Sequence, residues 1–233
     1  MEKKRIEIKG IPSIIWGVPS DKVIIAVHGN MSNKEDIPIE ILANVAVSKN
    51  YQVLSFDLPE HGDRKGEETL CKVKECISDL VVIMKYVKDN WDEVSLFANS
   101  IGAYFSLLAY QDEQIKNAWF LSPVINMQRI IENMMKWFQI PELQLQQEQA
   151  IATPIGQTLY WDYYCYVKEN PLTKWNVQTY ILYGDKDEMC EKDTVFDFVD
   201  KYNSKLQIVE NCEHYFCDEY QLNEFEIWLS QYI

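Results

Sequence analysis

The chain has 233 residues, which is enough for one ordinary domain with a substantial buried core. Its 47% hydrophobic and 25% charged residues exclude a disordered or low-complexity chain. The net charge of −14 would repel nucleic-acid phosphates and anionic lipid, so we do not expect nucleic acid as a partner.

The expected location is the cytoplasm. The charged N-terminal sequence MEKKRIEIKG does not resemble a signal peptide, and no apolar run is long enough for a membrane span. The six cysteines are scattered through a chain too large to depend on disulfides, so we expect reduced thiols.

The predicted elements begin with two short alternating stretches around Gly10 and Pro12, which indicate an antiparallel hairpin. Apolar runs typical of buried parallel strands then alternate with stretches of helical periodicity. The predicted strands are 22–29, 51–59, 93–100, 117–123, 178–185 and 205–211, and the predicted helices are 37–50, 68–90, 101–111, 194–202 and 221–233. This alternation predicts a mostly parallel, doubly wound α/β sheet.

The segment 124–176 interrupts the alternation. It contains no clear strand, but two stretches rich in Met and aromatic residues have helical character. We interpret it as a small helical cap; the alternative is a helical crossover packed on the sheet. No repeat or linker divides the chain, so we expect a single domain over 1–233 with this insertion at about 124–176.

Ser100 lies between a predicted strand and a predicted helix, in the sequence Ala98-Asn99-Ser100-Ile101-Gly102. A sharp strand-to-helix turn needs small residues two positions before and after the serine, and Ala98 and Gly102 satisfy this requirement. The pattern matches G-x-S-x-G with alanine in the first position. It predicts a nucleophile, although an ordinary helix N-cap serine would produce the same local pattern.

A serine nucleophile needs an adjacent base, and the chain contains three histidines. His28 and His61 follow early strands, where we expect them to support turns by hydrogen bonding. His214 follows the last predicted strand, from which a loop can carry it to the carboxyl edge of the sheet. His214 is therefore the predicted base.

An acid must orient that imidazole, and the sequence YGDKDEM offers Asp185 and Asp187, with Glu188 adjacent. We choose Asp187, because a carboxylate three residues beyond Gly184 can turn inward from the loop. Asp185 remains the alternative, and a helix N-cap or loop charge is the structural alternative for each acid.

The chain order Ser100, Asp187, His214 resembles the serine hydrolases of the α/β-hydrolase superfamily. The resemblance covers almost the whole chain through HGN, DLPEHGDR, ANSIGAY, YGDKDE and CEHYF. Within the superfamily, HGNMSNKED with DLPEHGDR is most similar to small bacterial carboxylesterases and acylglycerol or cinnamoyl-ester hydrolases. Such proteins often carry a cap after the sixth strand, where 124–176 falls.

The predicted activity is hydrolysis of a carboxylic ester with a small to medium acyl group through an acyl-enzyme intermediate. The backbone N–H of Ile101, at a helix N-terminus, is one expected oxyanion donor. The resemblance implies Asn30 as the other, with Met31 as the alternative. The aromatic content of the proposed cap suggests substrate contacts from Trp137, Phe138, Trp161, Tyr163 and Tyr164, and we add Met31 to this set.

Other interpretations stay open. A protein could keep the fold and only bind a ligand, and thioesterase, acyltransferase, peptidase and lactonase chemistry can use the same triad. Zinc binding by Cys212, His214 and Cys217, with Cys190, is disfavoured because the spacing lacks paired cysteines. We expect no metal and no cofactor, since no phosphate-binding glycine loop is present. The expected partner is a small-molecule ester, and the oligomeric state is left open.

Overall fold

The computed structural model describes residues 1–233, which divide into two compact units: Met1–Ile125 with Lys174–Ile233, and Asn126–Thr173. The strands of the first unit are β1 Lys3–Ile8, β2 Ile11–Trp16, β3 Lys22–Val27, β4 Gln52–Phe56, β5 Glu93–Asn99, β6 Asn117–Leu121, β9 Gln178–Gly184 and β10 Lys205–Val209. Its helices are α1 Ile37–Ser48, α2 Val73–Asn90, α3 Ile101–Ala109, α7 Lys192–Tyr202 and α8 Glu219–Tyr232. A single 3₁₀ turn spans Gly62–Arg64.

The eight strands form one sheet in the order β1-β2-β4-β3-β5-β6-β9-β10. β1 pairs with β2 and β2 with β4 in antiparallel fashion, and all other pairs are parallel. The predicted α/β architecture, with its N-terminal antiparallel hairpin, is therefore confirmed. None of the helices combines the length and the apolar character needed to cross a bilayer.

The strand register aligns the loops that matter for function. Val27 at the end of β3 pairs with Ala98 near the end of β5, so the chain leaves both strands at the same level. Gly184 at the end of β9 pairs with Val209 of β10 in the same way. Because parallel strands point their carboxyl ends toward one edge, the loops after these strands meet there.

The core explains why the central strands read as continuous apolar runs. Five of the six residues of β3 are buried, and all five residues of β4 are buried. Helix α8 adds Phe225 and Trp228 to the cluster that includes Ile39 and Leu42 of α1. Strands covered on both faces cannot show polar alternation, which is the pattern seen in the sequence.

The second unit contains α4 Met127–Trp137, α5 Glu142–Glu148, a two-stranded hairpin of β7 Ala150–Ala152 and β8 Thr158–Tyr160, and α6 Trp161–Glu169. The expectation of no strand in this segment is wrong. Three-residue strands are too short to show alternation. In the turn between β7 and β8, Thr153 donates to the Gln157 carbonyl from both its N–H and its hydroxyl. That the unit acts as a cap stays a prediction.

Helix α2 begins at Val73, five residues later than the periodicity predicts. In the preceding loop the Cys71 N–H donates to the Glu60 carboxylate at 2.5 Å, a contact that the periodicity of 68–90 cannot show.

Candidate active site

Ser100 occupies the turn between β5 and α3 with φ 51° and ψ −120°. Residues other than glycine rarely adopt this conformation, and such strain is found at functional sites. The Ser100 N–H donates to the Leu121 carbonyl at 3.0 Å, and its carbonyl accepts from the Val124 N–H at 3.0 Å. These bonds hold the strained turn against the end of β6.

The residues around the serine must be small. A β-carbon on Gly102 would lie 2.5 Å from the His28 carbonyl oxygen, and one on Gly29 would lie 3.2 Å from the Ser100 β-carbon. The turn after β3 therefore passes directly beside Ser100. Ala98, the departure from G-x-S-x-G, is fully buried on β5.

Three side chains from separate loops converge at this turn. Ser100 Oγ lies 2.8 Å from His214 Nε2, and His214 Nδ1 lies 2.7 Å from Asp187 Oδ2. The carboxylate can only accept, so Nδ1 carries the proton and Nε2 accepts from the serine hydroxyl. The Ser100 side chain makes no cap hydrogen bond to α3, so the alternative of an ordinary N-cap serine is wrong.

The structure separates the two candidate acids. The second oxygen of Asp187 accepts the N–H groups of Met189 and Cys190 at 2.9 and 2.8 Å, which orients the buried carboxylate toward the imidazole. Asp185 is exposed and accepts the Cys212 N–H at 3.1 Å. Asp187 is therefore the acid in contact with His214, while Asp185 supports the backbone of the histidine loop.

Gly184 brings the acid loop and the histidine loop together. A β-carbon at this position would lie 2.3 Å from the Cys212 carbonyl oxygen and 2.7 Å from that of Glu213. The close approach is reinforced by the Lys186 N–H, which donates to the Cys212 carbonyl at 2.9 Å. Glycine is required here because backbone cannot yield as a flexible side chain can.

Gly184→Ala is expected to displace the histidine loop, destabilise the fold by about 1–3 kcal/mol and reduce turnover. Chemical unfolding would measure the loss of stability, and hydrolysis of p-nitrophenyl acetate, a substrate of the predicted activity, would measure turnover. Gly10→Ala is the control for a loss of stability without a clash. Its β-carbon would meet nothing, and its φ of +88° makes alanine strained, so only stability should fall. A Gly184→Ala protein with unchanged turnover would contradict the role of this approach.

Comparison with known proteins finds likeness in structure alone. No protein-family model and no curated protein sequence matches the chain. Est1E from Butyrivibrio proteoclasticus, solved with ferulic acid, is 18% identical with a TM-score of 0.78, covering 98% of this chain and 97% of that one. Alpha/beta hydrolase domain-containing protein 10 from mouse is 14% identical with a TM-score of 0.75, covering 99% and 98%.

The Pyrococcus furiosus esterase Pf2001 is also similar, at 18% identity and a TM-score of 0.71, with 99% of this chain and 89% of that one covered. The matches extend over nearly the whole of both chains. The chain has the α/β-hydrolase fold. At these identities the likeness concerns the fold alone.

In this α/β-hydrolase fold, the turn after β3 carries the predicted oxyanion donors. The Met31 N–H donates to His61 Nε2 at 3.0 Å and is therefore engaged within the protein, which favours Asn30. The Met31 side chain is 85% exposed. Ile101 is the first residue of α3, where a backbone N–H has no partner within the helix.

His28 and His61 both hold turns by hydrogen bonds. His28 Nδ1 donates to the Gly29 carbonyl at 2.7 Å, and its Nε2 accepts the Leu58 N–H at 3.0 Å. His61 Nδ1 donates to the Pro59 carbonyl at 2.7 Å. Burial, chiefly, lowers the pKa of His28 to about 4, so this imidazole is neutral at physiological pH.

The His28 pKa predicts a pH dependence of stability. Because the folded pKa is about 4 and the ordinary value is 6.5, the unfolded chain takes up a proton first as pH falls. The contribution of neutral His28 to the free energy of unfolding is complete above about pH 6.5. It is lost as pH falls toward 4, and the loss reaches about 3 kcal/mol. Urea unfolding of wild type and His28→Gln across this range would measure it. Parallel stability curves would contradict the prediction.

The aromatic residues predicted to contact substrate lie on two helices of the second unit. Trp137 and Phe138 are at the end of α4, and Trp161, Tyr163 and Tyr164 are on α6. Tyr164 is buried, and its hydroxyl donates to Glu132 at 3.3 Å and Glu142 at 3.4 Å, so it packs within its own unit. Substrate contact by these residues stays a prediction.

The potential metal ligands that come together differ from the set considered in the sequence. The ligand atoms of Asp187, Cys190 and His214 lie within 4.8 Å of one another, and Cys212 and Cys217 are not part of this group. Burial raises the pKa of Cys190 well above its ordinary value, which keeps the thiol protonated. Asp187 and His214 are already bonded to each other, so the group fits an acid–base pair better than a metal centre.

An ion-pair network beside the site was missed in the sequence. Buried Lys34 places Nζ 2.5 Å from Asp57 Oδ2 and 2.7 Å from Asp63 Oδ2. Asp57 also accepts the Lys34 N–H at 2.9 Å and the Asp63 N–H at 2.9 Å. Burial opposes the charge, but these bonds outweigh it and raise the pKa of Lys34. The network ties the segment after β3 to the loop after β4. Its only sequence signal is an acid directly after a strand.

Proposed function

We propose that the protein is a serine hydrolase that cleaves a carboxylic ester with a small to medium acyl group through an acyl-enzyme intermediate. The observation that carries the proposal is the hydrogen-bonded series from Ser100 through His214 to Asp187, with distances of 2.8 and 2.7 Å. Serine is a weak nucleophile without an adjacent base, and this arrangement supplies both the base and the group that orients it.

In the first step, Ser100 Oγ attacks the ester carbonyl carbon while its proton passes to His214 Nε2. Asp187 stabilises the imidazolium that forms. The alkoxide leaving group then takes the proton from His214 and departs, which leaves the acyl group on Ser100. His214 next removes a proton from water, the resulting hydroxide attacks the acyl-enzyme, and Ser100 is regenerated with release of the acid.

The developing oxyanion requires donors in fixed positions. We assign this role to the N–H of Ile101 and the N–H of Asn30. The engagement of the alternative donor, Met31, by His61 supports this choice. Losing one such donor typically reduces turnover by about a hundred- to a thousand-fold.

The substrate class is an uncharged ester. The net charge of −14 disfavours polyanionic substrates. Est1E was solved with ferulic acid, which makes an aromatic acyl group a reasonable member of the test set. We retain the predicted contribution of Trp137, Phe138, Trp161 and Tyr163 to acyl binding as part of the proposal.

A panel of p-nitrophenyl esters from acetate to octanoate, together with methyl ferulate and an acyl thioester, tests the proposal. Hydrolysis of at least one oxygen ester, with a burst of nitrophenol at high enzyme concentration, is the expected result. If the folded protein cleaves only the thioester, thioesterase replaces esterase as the proposed activity. A folded protein that cleaves none of the esters would contradict the proposed function.

A further inference from the structure

Two cysteines meet at the start of α2, away from the triad. Cys71 lies in the loop before the helix and is half-buried, while Cys76 is fully buried in the first turn. Their sulfur atoms are 3.6 Å apart. We propose that Cys71 and Cys76 form a reversible disulfide on exposure to a hydroperoxide. We propose also that this modification shifts, through His61, the turn after β3 that carries Asn30 and Met31.

The environment distinguishes the two thiols. The hydrogen bond from Cys76 and the interaction with His61 lower the pKa of Cys71 to about 6, against the effect of burial. Burial raises the pKa of Cys76 well above its ordinary value, so it remains a thiol that donates to Cys71. Cys71 is therefore a thiolate at neutral pH, and the thiolate is the reactive form.

The chemistry balances with the hydroperoxide as oxidant. The Cys71 thiolate attacks the terminal, hydroxyl-bearing oxygen of the hydroperoxide, the O–O bond breaks, and Cys71 becomes a sulfenic acid. The alkoxide that leaves, or hydroxide from hydrogen peroxide, takes a proton from solvent and departs as an alcohol or as water. The Cys76 sulfur then attacks the Cys71 sulfur, its proton leaves with the hydroxyl as water, and the disulfide forms. Two thiols lose two electrons, and the peroxide gains them.

Three other cysteines, buried Cys190 and Cys212 and half-buried Cys165, lack this activation. Burial raises the pKa of Cys190 well above its ordinary value and that of Cys212 to about 12. The pKa of Cys165 is also raised by burial. Because thiolate character and exposure govern oxidation, we expect Cys71 to react before these three.

His61 links the thiol pair to the site. Its Nε2 accepts the Met31 N–H at 3.0 Å and lies 3.1 Å from Asn30 Oδ1. Burial opposes protonation of His61, but Cys71 and the Pro59 carbonyl outweigh it and raise its pKa. A disulfide removes the negative sulfur from beside His61 and must bring two sulfurs from 3.6 Å to about 2.05 Å.

The covalent step can be measured independently of any activity. Trypsin cuts after Lys65, Lys72, Lys74 and Lys85, so the two cysteines fall in separate peptides, 66–72 and 75–85. After treatment of the whole protein with hydrogen peroxide, we expect these peptides to be recovered as one linked species lacking two hydrogen atoms. Dithiothreitol should separate them. Recovery of both peptides unlinked, while Cys217 is oxidised, would overturn the modification site.

Two variants sharpen the test. In Cys76→Ser the sulfenic acid on Cys71 should persist and react with dimedone, whereas Cys217→Ser should link Cys71 to Cys76 as wild type does. Absence of the dimedone adduct in Cys76→Ser, with Cys71 still reduced, would count against Cys71 as the site of attack.

The effect on turnover rests on the proposed function, so it needs a separate readout. We expect the linked protein to hydrolyse esters about tenfold more slowly, because a displaced oxyanion donor weakens transition-state binding. Amide hydrogen exchange of residues 30–36 should also rise, and this measurement requires no substrate. Unchanged exchange in the linked protein would overturn the coupling. If the reduced protein has no esterase activity, the proposed function fails while the peptide and exchange results still decide the inference.

Discussion

Ser100→Ala is expected to reduce kcat/KM for p-nitrophenyl esters by about 10⁵- to 10⁶-fold, with KM little changed. The variant removes the proposed nucleophile but keeps the fold and the proposed oxyanion donors, so about 10³-fold catalysis over water should remain. A fluorophosphonate should label wild type on Ser100 and leave the variant unlabelled.

Ser106→Ala is the matched control for this prediction. Ser106 is also buried in α3, but its hydroxyl donates to the Gly102 carbonyl at 2.7 Å and does not contact His214. Its loss should affect stability slightly and leave both turnover and labelling intact. If wild type is folded but not labelled, or Ser100→Ala hydrolyses esters at more than a tenth of the wild-type rate, the nucleophile assignment is wrong.

Asp187→Asn is expected to reduce kcat by about 10⁴-fold. The amide keeps the size of the side chain, but it cannot stabilise the imidazolium and favours the wrong imidazole tautomer. The bonds from the Met189 and Cys190 N–H groups to Asp187 Oδ1 can persist, so the loop should stay in place. Steady-state kinetics with one ester and a thermal melt would separate chemistry from folding.

Asp185→Asn provides the isosteric comparison. An asparagine there can still accept the Cys212 N–H, so we expect turnover within about threefold of wild type. The reverse order of the two effects would assign the acid to Asp185. Equal, large effects with equal losses of stability would show that both carboxylates act only through the loop.

Much of the fold could be predicted from the pattern of the sequence. Buried parallel strands appear as uninterrupted apolar runs, and the helices between them show a 3.6-residue period, so element order followed directly. The hairpin of β7 and β8 could not be predicted, since three-residue strands are too short to show an alternating pattern. The loop before α2 also contains a contact that periodicity cannot show, between Glu60 and the Cys71 N–H eleven residues later.

The spatial relation of Ser100, Asp187 and His214 was predictable because each follows a parallel strand, and such strands end at one edge of the sheet. The ion pair of Lys34 with Asp57 was not predictable, because the burial of Lys34 depends on two loops that meet around Asp57. The thiol pair was missed for the same reason. Two cysteines five positions apart carry no signal until the chain bends between them.

The Lys34–Asp57 pair restricts how the sequences of the segments after β3 and β4 can change during evolution. Removing one partner of a buried ion pair leaves an uncompensated charge and costs about 3–5 kcal/mol, whereas replacing both by apolar residues is often neutral. A lineage that loses the lysine first would pass through an unstable intermediate. We therefore expect positions 34 and 57 to change together across divergent relatives, and a library that randomises either one alone to return mostly the parental residue.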